Sequence, residues 1–108
     1  MELSTVRNLF DVTKENFSNE IFERMIENEN FVLEKIISEG HSSPRDFWYD
    51  QNKNEFVILI SGSAKLQYDD GQITNLNPGD YLIIPAHKKH RVEWTDPNQK
   101  TFWIALHY

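Results

Sequence analysis

The feature that most restricts the fold is a succession of short strand-like runs that begins at residue 31 and continues to the end of the chain. Most of these runs are largely apolar or alternate apolar with polar residues, and most are soon followed by Gly, Pro, Asn or Asp. Runs of this length are typical of β-strands, whereas helices need longer periodic stretches. The runs cover residues 31–38, 55–60, 64–68, 81–84, 90–95 and 101–107. The sequence therefore predicts an all-β sandwich or barrel, with at least seven strands in two facing antiparallel sheets.

Two of these runs carry more detailed information. In residues 64–68, Ala64, Leu66 and Tyr68 alternate with polar residues, which predicts a half-buried strand, and the Asp-Asp-Gly sequence that follows predicts a hairpin turn. Residues 101–107 are apolar on both faces. Because a small barrel has only one interior, the outer face of this strand needs a cover, either the N-terminal segment or a second subunit. We therefore expect a homodimer.

Residues 1–30 differ from the rest, since they are rich in Asn and Glu and poor in β-branched residues. Ile21, Phe22, Met25 and Ile26 recur at helical spacing after Ser18 and Asn19, either of which could cap a helix. This pattern predicts a short helix at residues 20–27. The expected organisation is an N-terminal extension, residues 1–30, packed on a barrel formed by residues 31–108.

Composition and charge exclude several classes of function. The net charge of −6 and the pI near 5.1 make nucleic-acid binding unfavourable. The basic cluster of Lys88, Lys89 and Arg91 is either a solvated hairpin or an anion-attracting rim beside His90. Without cysteine there is neither a disulfide nor a thiolate ligand. No segment has the roughly 20 apolar residues that span a membrane, and the first ten residues do not resemble a signal peptide, so a cytoplasmic protein is expected.

Imidazole and carboxylate side chains that could bind a divalent metal occur near the predicted strand ends. Glu55 begins an apolar run, and His87 and His90 flank the start of a later strand. Such ligands suit Zn, Fe, Ni, Mn or Co, provided that three or more converge. His87 and His90 are three residues apart, so they converge only if the chain bends at Pro85. Asp50 is a further carboxylate candidate, and His41 lies farther away.

Two stretches of the chain resemble the two conserved motifs of the cupin family. The first motif reads G, five residues, H-x-H, three or four residues, E, six residues, G; the second reads G, five residues, P-x-G, two residues, H, three residues, N. Glu55 and Gly62 have the spacing of the first motif, and the stretch "GDYLIIPAHKKHRVEW" matches the second, with His90 at its histidine position. The resemblance covers residues 31 to 108. It implies an RmlC-like jelly roll, a double-stranded β-helix, with a polar pocket at the mouth of the barrel.

The resemblance also implies metal ligands, although the chain departs from the pattern. Counting back four residues from Glu55 places Trp48, Tyr49 and Asp50 where the family has H-x-H. In the second motif, His87 replaces the second glycine. The predicted metal ligands are listed together: Glu55, His90, His87 and Asp50. Residues expected to contact a substrate at the mouth are His41, Trp48 and Tyr49.

Two functional hypotheses follow from these residues. In the first, a divalent metal in the pocket polarises a carbonyl or enediol oxygen of a small polar molecule, or binds dioxygen if the metal is iron. The protein is then a metal-dependent isomerase or oxygenase, with His41 as a base. In the second, the pocket binds a small ligand without metal, and the protein is a non-catalytic binding or sensor module. The absent H-x-H pair favours the second hypothesis, and the clustered Glu and His residues favour the first.

Overall fold

The computed structural model describes residues 4–12 and 18–108, so residues 1–3 and 13–17 of the N-terminal extension lie outside the description. Within the described residues the chain forms eight β-strands and no α-helix. The strands are β1 (Ile21–Glu27), β2 (Val32–Ser38), β3 (Glu55–Ser61), β4 (Ala64–Tyr68), β5 (Ile73–Leu76), β6 (Tyr81–Ile84), β7 (His90–Thr95) and β8 (Thr101–His107). No helix in this part of the chain could cross a bilayer.

The strands form two antiparallel sheets. One has five strands in the order β1-β2-β8-β3-β6, and the other has three in the order β5-β4-β7. The predicted all-β architecture with at least seven strands is therefore confirmed. Both sheets contribute side chains to one core, which consists of Ile36, Val57, Leu59, Ala64, Leu66, Leu76, Ile84, Val92, Trp103 and Ala105.

The strand that is apolar on both faces, β8, lies at the centre of the larger sheet between β2 and β3. Its inward residues Trp103 and Ala105 join the core, while Phe102 faces outward. Phe10 covers this outer position, with ring centroids 5.1 Å apart and planes at 78°. The N-terminal segment thus covers one part of the outer face, as the double-sided pattern requires.

The predicted helix at residues 20–27 is wrong, because this segment is the edge strand β1. Ile21 pairs with Ile37, Phe22 with Ile36 and, beyond an irregularity next to Met25, Ile26 pairs with Leu33. The β-bulge places Ile21 and Ile26, five residues apart, on the same face of the sheet, so the apolar residues of this strand depart from strict alternation. An isolated helix of eight residues is marginal in water, whereas pairing with β2 satisfies a full ladder of backbone hydrogen bonds.

A row of apolar residues crosses the outer face of the larger sheet from one edge to the other. Successive strand pairings place Ile26, Leu33, Leu106, Phe56 and Ile83 side by side. Ile26 and Ile83 are more than half exposed, at 53% and 56%. A contiguous apolar band of this kind on a sheet face is typical of an interaction surface.

Strict alternation along β7 would place Trp94 on the inward face with His90 and Val92, but the structure does not. The pairing of β7 with β4 shifts register between Val92 and Trp94, so one residue bulges and the alternation reverses. Trp94 is consequently 36% exposed, with the Lys65 ammonium 5.5 Å from its ring centroid. Thr95 points inward instead and is buried.

Candidate functional site

A cavity lies between the two sheets at one end of the barrel. About 60 Å³ of it can hold water, and the total empty space is about 490 Å³ when the open mouth is included. The period-two alternation of the strands builds this cavity, since residues two apart face the same side. On β3 and β7 a polar residue is followed two positions later by a valine: Glu55 precedes Val57, and His90 precedes Val92. The result is a polar mouth above an apolar floor.

Glu55 and His90 meet across the cavity from opposite sheets. The Nε2 atom of His90 lies 3.3 Å from the Oε1 atom of Glu55, and both residues are more than nine-tenths buried. The structure thus brings these two predicted ligands together. The ring of Tyr49 stacks on that of His90, with centroids 5.5 Å apart and planes at 27°. Backbone hydrogen bonds between Tyr49 and His90 fix this arrangement.

The tautomer of His90 follows from its second nitrogen. Nδ1 lies 2.9 Å from the carbonyl oxygen of Lys88, and a carbonyl can only accept, so Nδ1 carries a proton and donates it. In the neutral ring Nε2 therefore presents its lone pair towards the cavity. At 3.3 Å from Glu55 it is close enough for an ion pair but not aligned as a hydrogen bond. The Oε1 atom of Glu55 is thus buried without a hydrogen-bond partner.

A second histidine–glutamate pair lies in the same cavity. Nε2 of His107, on β8, is 2.9 Å from Oε1 of Glu34, on β2. The hydrogen bond to Glu34 raises the pKa of His107, against the opposing effect of burial. The carboxylate of Glu34 thus has a hydrogen-bond partner within the protein, whereas the Oε1 atom of Glu55 has none.

A third carboxylate, Glu20, lines the cavity just before β1. The hydroxyl of Ser38 donates to Glu20, and the indole nitrogen of Trp103 donates to the Ser38 oxygen at 3.1 Å. Burial raises the pKa of Glu20 despite the hydrogen bond from Ser38 and the nearby charge of His41. Burial, followed by the negative charges of Glu20, Glu55 and Glu34, likewise raises the pKa of Tyr49.

The other predicted ligands lie outside the cavity. Asp50 and His87 bond to each other across 2.8 Å, with side chains 43% and 65% exposed, and neither lines the cavity wall. The chain does bend after Pro85, but His87 has a φ of +66° and turns away from His90. A positive φ is favourable for glycine, which explains why the cupin motif has glycine at this position.

The structure places one of the three predicted substrate contacts in the cavity. Tyr49 lines the cavity, whereas Trp48 and His41 do not. Nδ1 of His41 accepts a hydrogen bond from the amide of Glu39, which ties this side chain to its own loop. The charge of His41 lowers the pKa of the cavity residue Glu20.

Four cavity residues were missed by the sequence analysis: Glu20, Glu34, Gln51 and His107. Gln51 could have been found, because the motif also allows three residues between H-x-H and the glutamate. That spacing assigns the two histidine positions to Tyr49 and Gln51, and both line the cavity. His107 shares the inward face of β8 with Trp103 and Ala105, but alternation alone does not reveal which face points inward at a strand end.

The side chains that line the cavity do not provide the ligands that a divalent metal ion requires. Among the residues that the structure describes, no group of three or more His, Cys, Asp or Glu side chains is arranged to hold one. Glu55 and His90 converge, but the positions of the two missing histidines carry Tyr49 and Gln51, a neutral phenol and an amide. Protein sites for such metals use three or more strong ligands. The residues present therefore do not fit a resident metal ion.

Comparison with known proteins identifies the family. The sequence model of the cupin domain matches residues 34–106, which is more than half of the chain. A crystal structure from Ralstonia eutropha JMP134, of a protein named a "putative mannose-6-phosphate isomerase", is 39% identical, with a TM-score of 0.89. The match covers 95% of this chain and 96% of that one. The chain belongs to the cupin family.

More distant structures show the same fold. A cupin superfamily protein from Desulfitobacterium hafniense DCB-2 has 16% identity and a TM-score of 0.72, with 87% of this chain and 81% of that one covered. The polyketide cyclase RemF from Streptomyces resistomycificus has 21% identity and a TM-score of 0.71, with 83% and 65% covered. At this level of identity the likeness concerns the fold, because cupin-like folds host unrelated activities.

Proposed function

We propose that this cupin binds a small organic molecule in the barrel cavity without a resident metal, and that Glu55 and His90 anchor the ligand's polar group. The observation that carries the proposal is the buried Oε1 atom of Glu55, which has no hydrogen-bond partner. Leaving such an atom unsatisfied costs about 1–3 kcal/mol, or more when it is charged. A ligand N–H or O–H group at this position would recover that free energy.

The cavity wall supports the same proposal. Beneath the polar mouth lie the apolar side chains of Ile36, Val57, Leu66, Ile84, Val92 and Trp103. A floor of this kind favours an aliphatic or small cyclic group, with burial contributing about 25 cal/mol per Å² of apolar surface. An engineered cavity of about 150 Å³ accommodates benzene. The smaller water-accessible space here therefore favours a compact ligand, part of which occupies the mouth.

The hypothesis of a metal-dependent isomerase or oxygenase has less support. It requires a third ligand, and the residues near Glu55 and His90 do not supply one. The name of the Ralstonia eutropha protein refers to a phosphorylated sugar. Among the described cavity-lining residues there is no Lys or Arg to receive a phosphate, and Glu20, Glu34 and Glu55 would repel it. We therefore do not extend that activity to this chain.

Binding is tested by nuclear magnetic resonance with isobutanol, an uncharged probe that combines an O–H donor with a compact apolar group. We expect saturable shifts confined to amides of the cavity strands in the wild-type protein. Val57→Phe and Leu66→Phe, which fill the cavity from opposite sheets, should weaken binding at least about fivefold. The control Lys65→Ala changes an exposed residue and should leave binding unchanged. Shifts outside the cavity, or equal binding by the filled variants, would refute the proposal.

The absence of a resident metal is tested separately, by elemental analysis of protein purified without a metal-affinity tag. We expect far less than one equivalent of Zn, Fe, Ni, Mn or Co, and no change in thermal stability when these ions are added. A stoichiometric metal that is lost in His90→Ala and Glu55→Ala, but kept in Lys65→Ala, would establish the metal-dependent hypothesis instead.

A further inference from the structure

The charges around the cavity are unequal. Three carboxylates, those of Glu20, Glu34 and Glu55, line it, and the described lining residues include neither Lys nor Arg. Acidic clusters alone do not define a site, because each carboxylate can be satisfied locally. Glu34 is paired with His107, and Glu20 accepts a hydrogen bond from Ser38.

Glu55 differs from these two glutamates, because one of its carboxylate oxygens lacks a hydrogen-bond partner. It is 8% exposed, it faces the cavity, and its Oε1 atom has no hydrogen-bond partner. A buried carboxylate is stable when it is paired with a positive charge and hydrogen-bonded. Its neighbour His90 donates its Nδ1 proton elsewhere, to the Lys88 carbonyl.

We infer that the ligand carries a cationic nitrogen, such as a primary ammonium group, bound between Glu55 and His90. This inference rests on the proposed function and specifies the chemical class of the ligand. Oε1 of Glu55 and Nε2 of His90 are 3.3 Å apart, so a nitrogen that enters between these two side chains is shared by both. An ammonium group has several N–H donors and no acceptor, which matches two neighbouring acceptors.

The surrounding wall also favours a cation over an anion. Tyr49 and Trp103 are aromatic, and the faces of such rings attract positive charge. The three cavity glutamates oppose any added negative charge. Because apolar side chains form the floor of the cavity, the rest of the ligand should be small and aliphatic.

The test uses three probes of nearly equal shape: isobutylamine, isobutanol and isobutyrate. At pH 7.5 the first is protonated, as a lysine ammonium is, the second is neutral and the third is an anion. By amide shift titration we expect the amine to bind at least about tenfold more tightly than the alcohol, and the anion to bind weakest. Glu55→Gln should reduce the advantage of the amine over the alcohol to less than about twofold. The control Glu93→Gln removes a charge from the same strand as His90 but outside the cavity, and should keep the advantage.

The outcomes separate this inference from the proposed function. If isobutanol binds in the cavity as tightly as isobutylamine, the ligand class is wrong while the binding function stands. If the amine keeps its advantage in Glu55→Gln, the assigned anchor is wrong. If isobutyrate binds most tightly, the argument from charge is wrong. If none of the three probes binds in the cavity, both proposals fail.

Discussion

Replacing Glu55 with Gln is expected to stabilise the folded protein, although the residue is buried at the centre of the site. The wild-type Oε1 atom is buried without a hydrogen-bond partner and lies 3.3 Å from the Nε2 atom of His90. Because the Nδ1 proton of His90 is donated to Lys88, Nε2 can act as an acceptor. Glutamine has the same shape and offers an amide N–H at that place. Glu55→Gln therefore removes a buried charge and allows a new hydrogen bond.

The size of the effect follows from these two changes. Relief of an unsatisfied buried acceptor is worth about 1–3 kcal/mol, and a new neutral hydrogen bond about 0.5–1.5 kcal/mol. Because the new hydrogen bond would not have ideal geometry, the two contributions do not add in full, and we expect the free energy of unfolding to rise by about 1–3 kcal/mol. In a domain of this size each kcal/mol corresponds to roughly 4–8 °C in Tm. A substitution at a functional position that stabilises the fold indicates that the native residue serves binding at the expense of stability.

Urea denaturation of the ligand-free protein, followed by tryptophan fluorescence at pH 7.5, measures this change. The m-value should be unaffected, because the surface exposed on unfolding is the same. The matched control is Glu34→Gln, which removes the negative charge from the 2.9 Å contact with His107 and should lower stability by about 1–3 kcal/mol. If Glu55→Gln lowers stability as Glu34→Gln does, the Glu55 carboxylate is well satisfied in the folded protein and the reasoning about the site is wrong.

Three further predictions concern the rest of the molecule. Pairing with Glu34 raises the pKa of His107 above its usual 6.5, so the contribution of this pair to stability is complete below pH 6.5 and is lost as the pH rises through the raised pKa. The urea midpoint of the wild-type protein should therefore fall between pH 6 and 9, and it should fall less in Glu34→Gln. Gly62→Ala should destabilise by more than about 3 kcal/mol, because φ is +98° and the added Cβ would lie 2.3 Å from a threonine oxygen, whereas Gly79→Ala, at φ +91° in open space, should cost about 1–2 kcal/mol by the same assay. The apolar band on the outer sheet face should form a homodimer interface, so light scattering should give twice 12.8 kDa, and Ile83→Lys should give a monomer; a wild-type mass near 12.8 kDa across a wide concentration range would contradict this.

Much of the fold could be predicted because its strands follow local rules. The run at residues 101–107 coincides with β8, and the alternation at residues 64–68 coincides with β4. The apolar run of β8, the alternation of β4 and the adjacent turn residues are all properties of neighbouring amino acids.

The errors arose where distant pairing determines the local structure. β1 has apolar residues at helical spacing, but its conformation follows from its pairing with β2. Trp94 faces outward because one strand pairing shifts register, which no local pattern indicates. The same limit affected the site. Glu55 and His90 could be found because motif spacing is read along the chain, whereas Glu34 and His107 come together only because β2 and β8 lie next to each other in the sheet.

The departure from the family motif and the charge of the cavity have a common electrostatic consequence. In a site with three histidines and one glutamate, a divalent metal supplies the positive charge that a buried carboxylate needs. Here the glutamate position is kept as Glu55, while the positions of two histidines carry Tyr49 and Gln51, which do not retain a metal. The requirement for positive charge beside Glu55 remains, because the carboxylate is still buried and unsatisfied. A cationic group on the ligand satisfies this requirement at the same place, so losing the metal ligands while keeping the glutamate converts a site for an ion into a site for an organic cation.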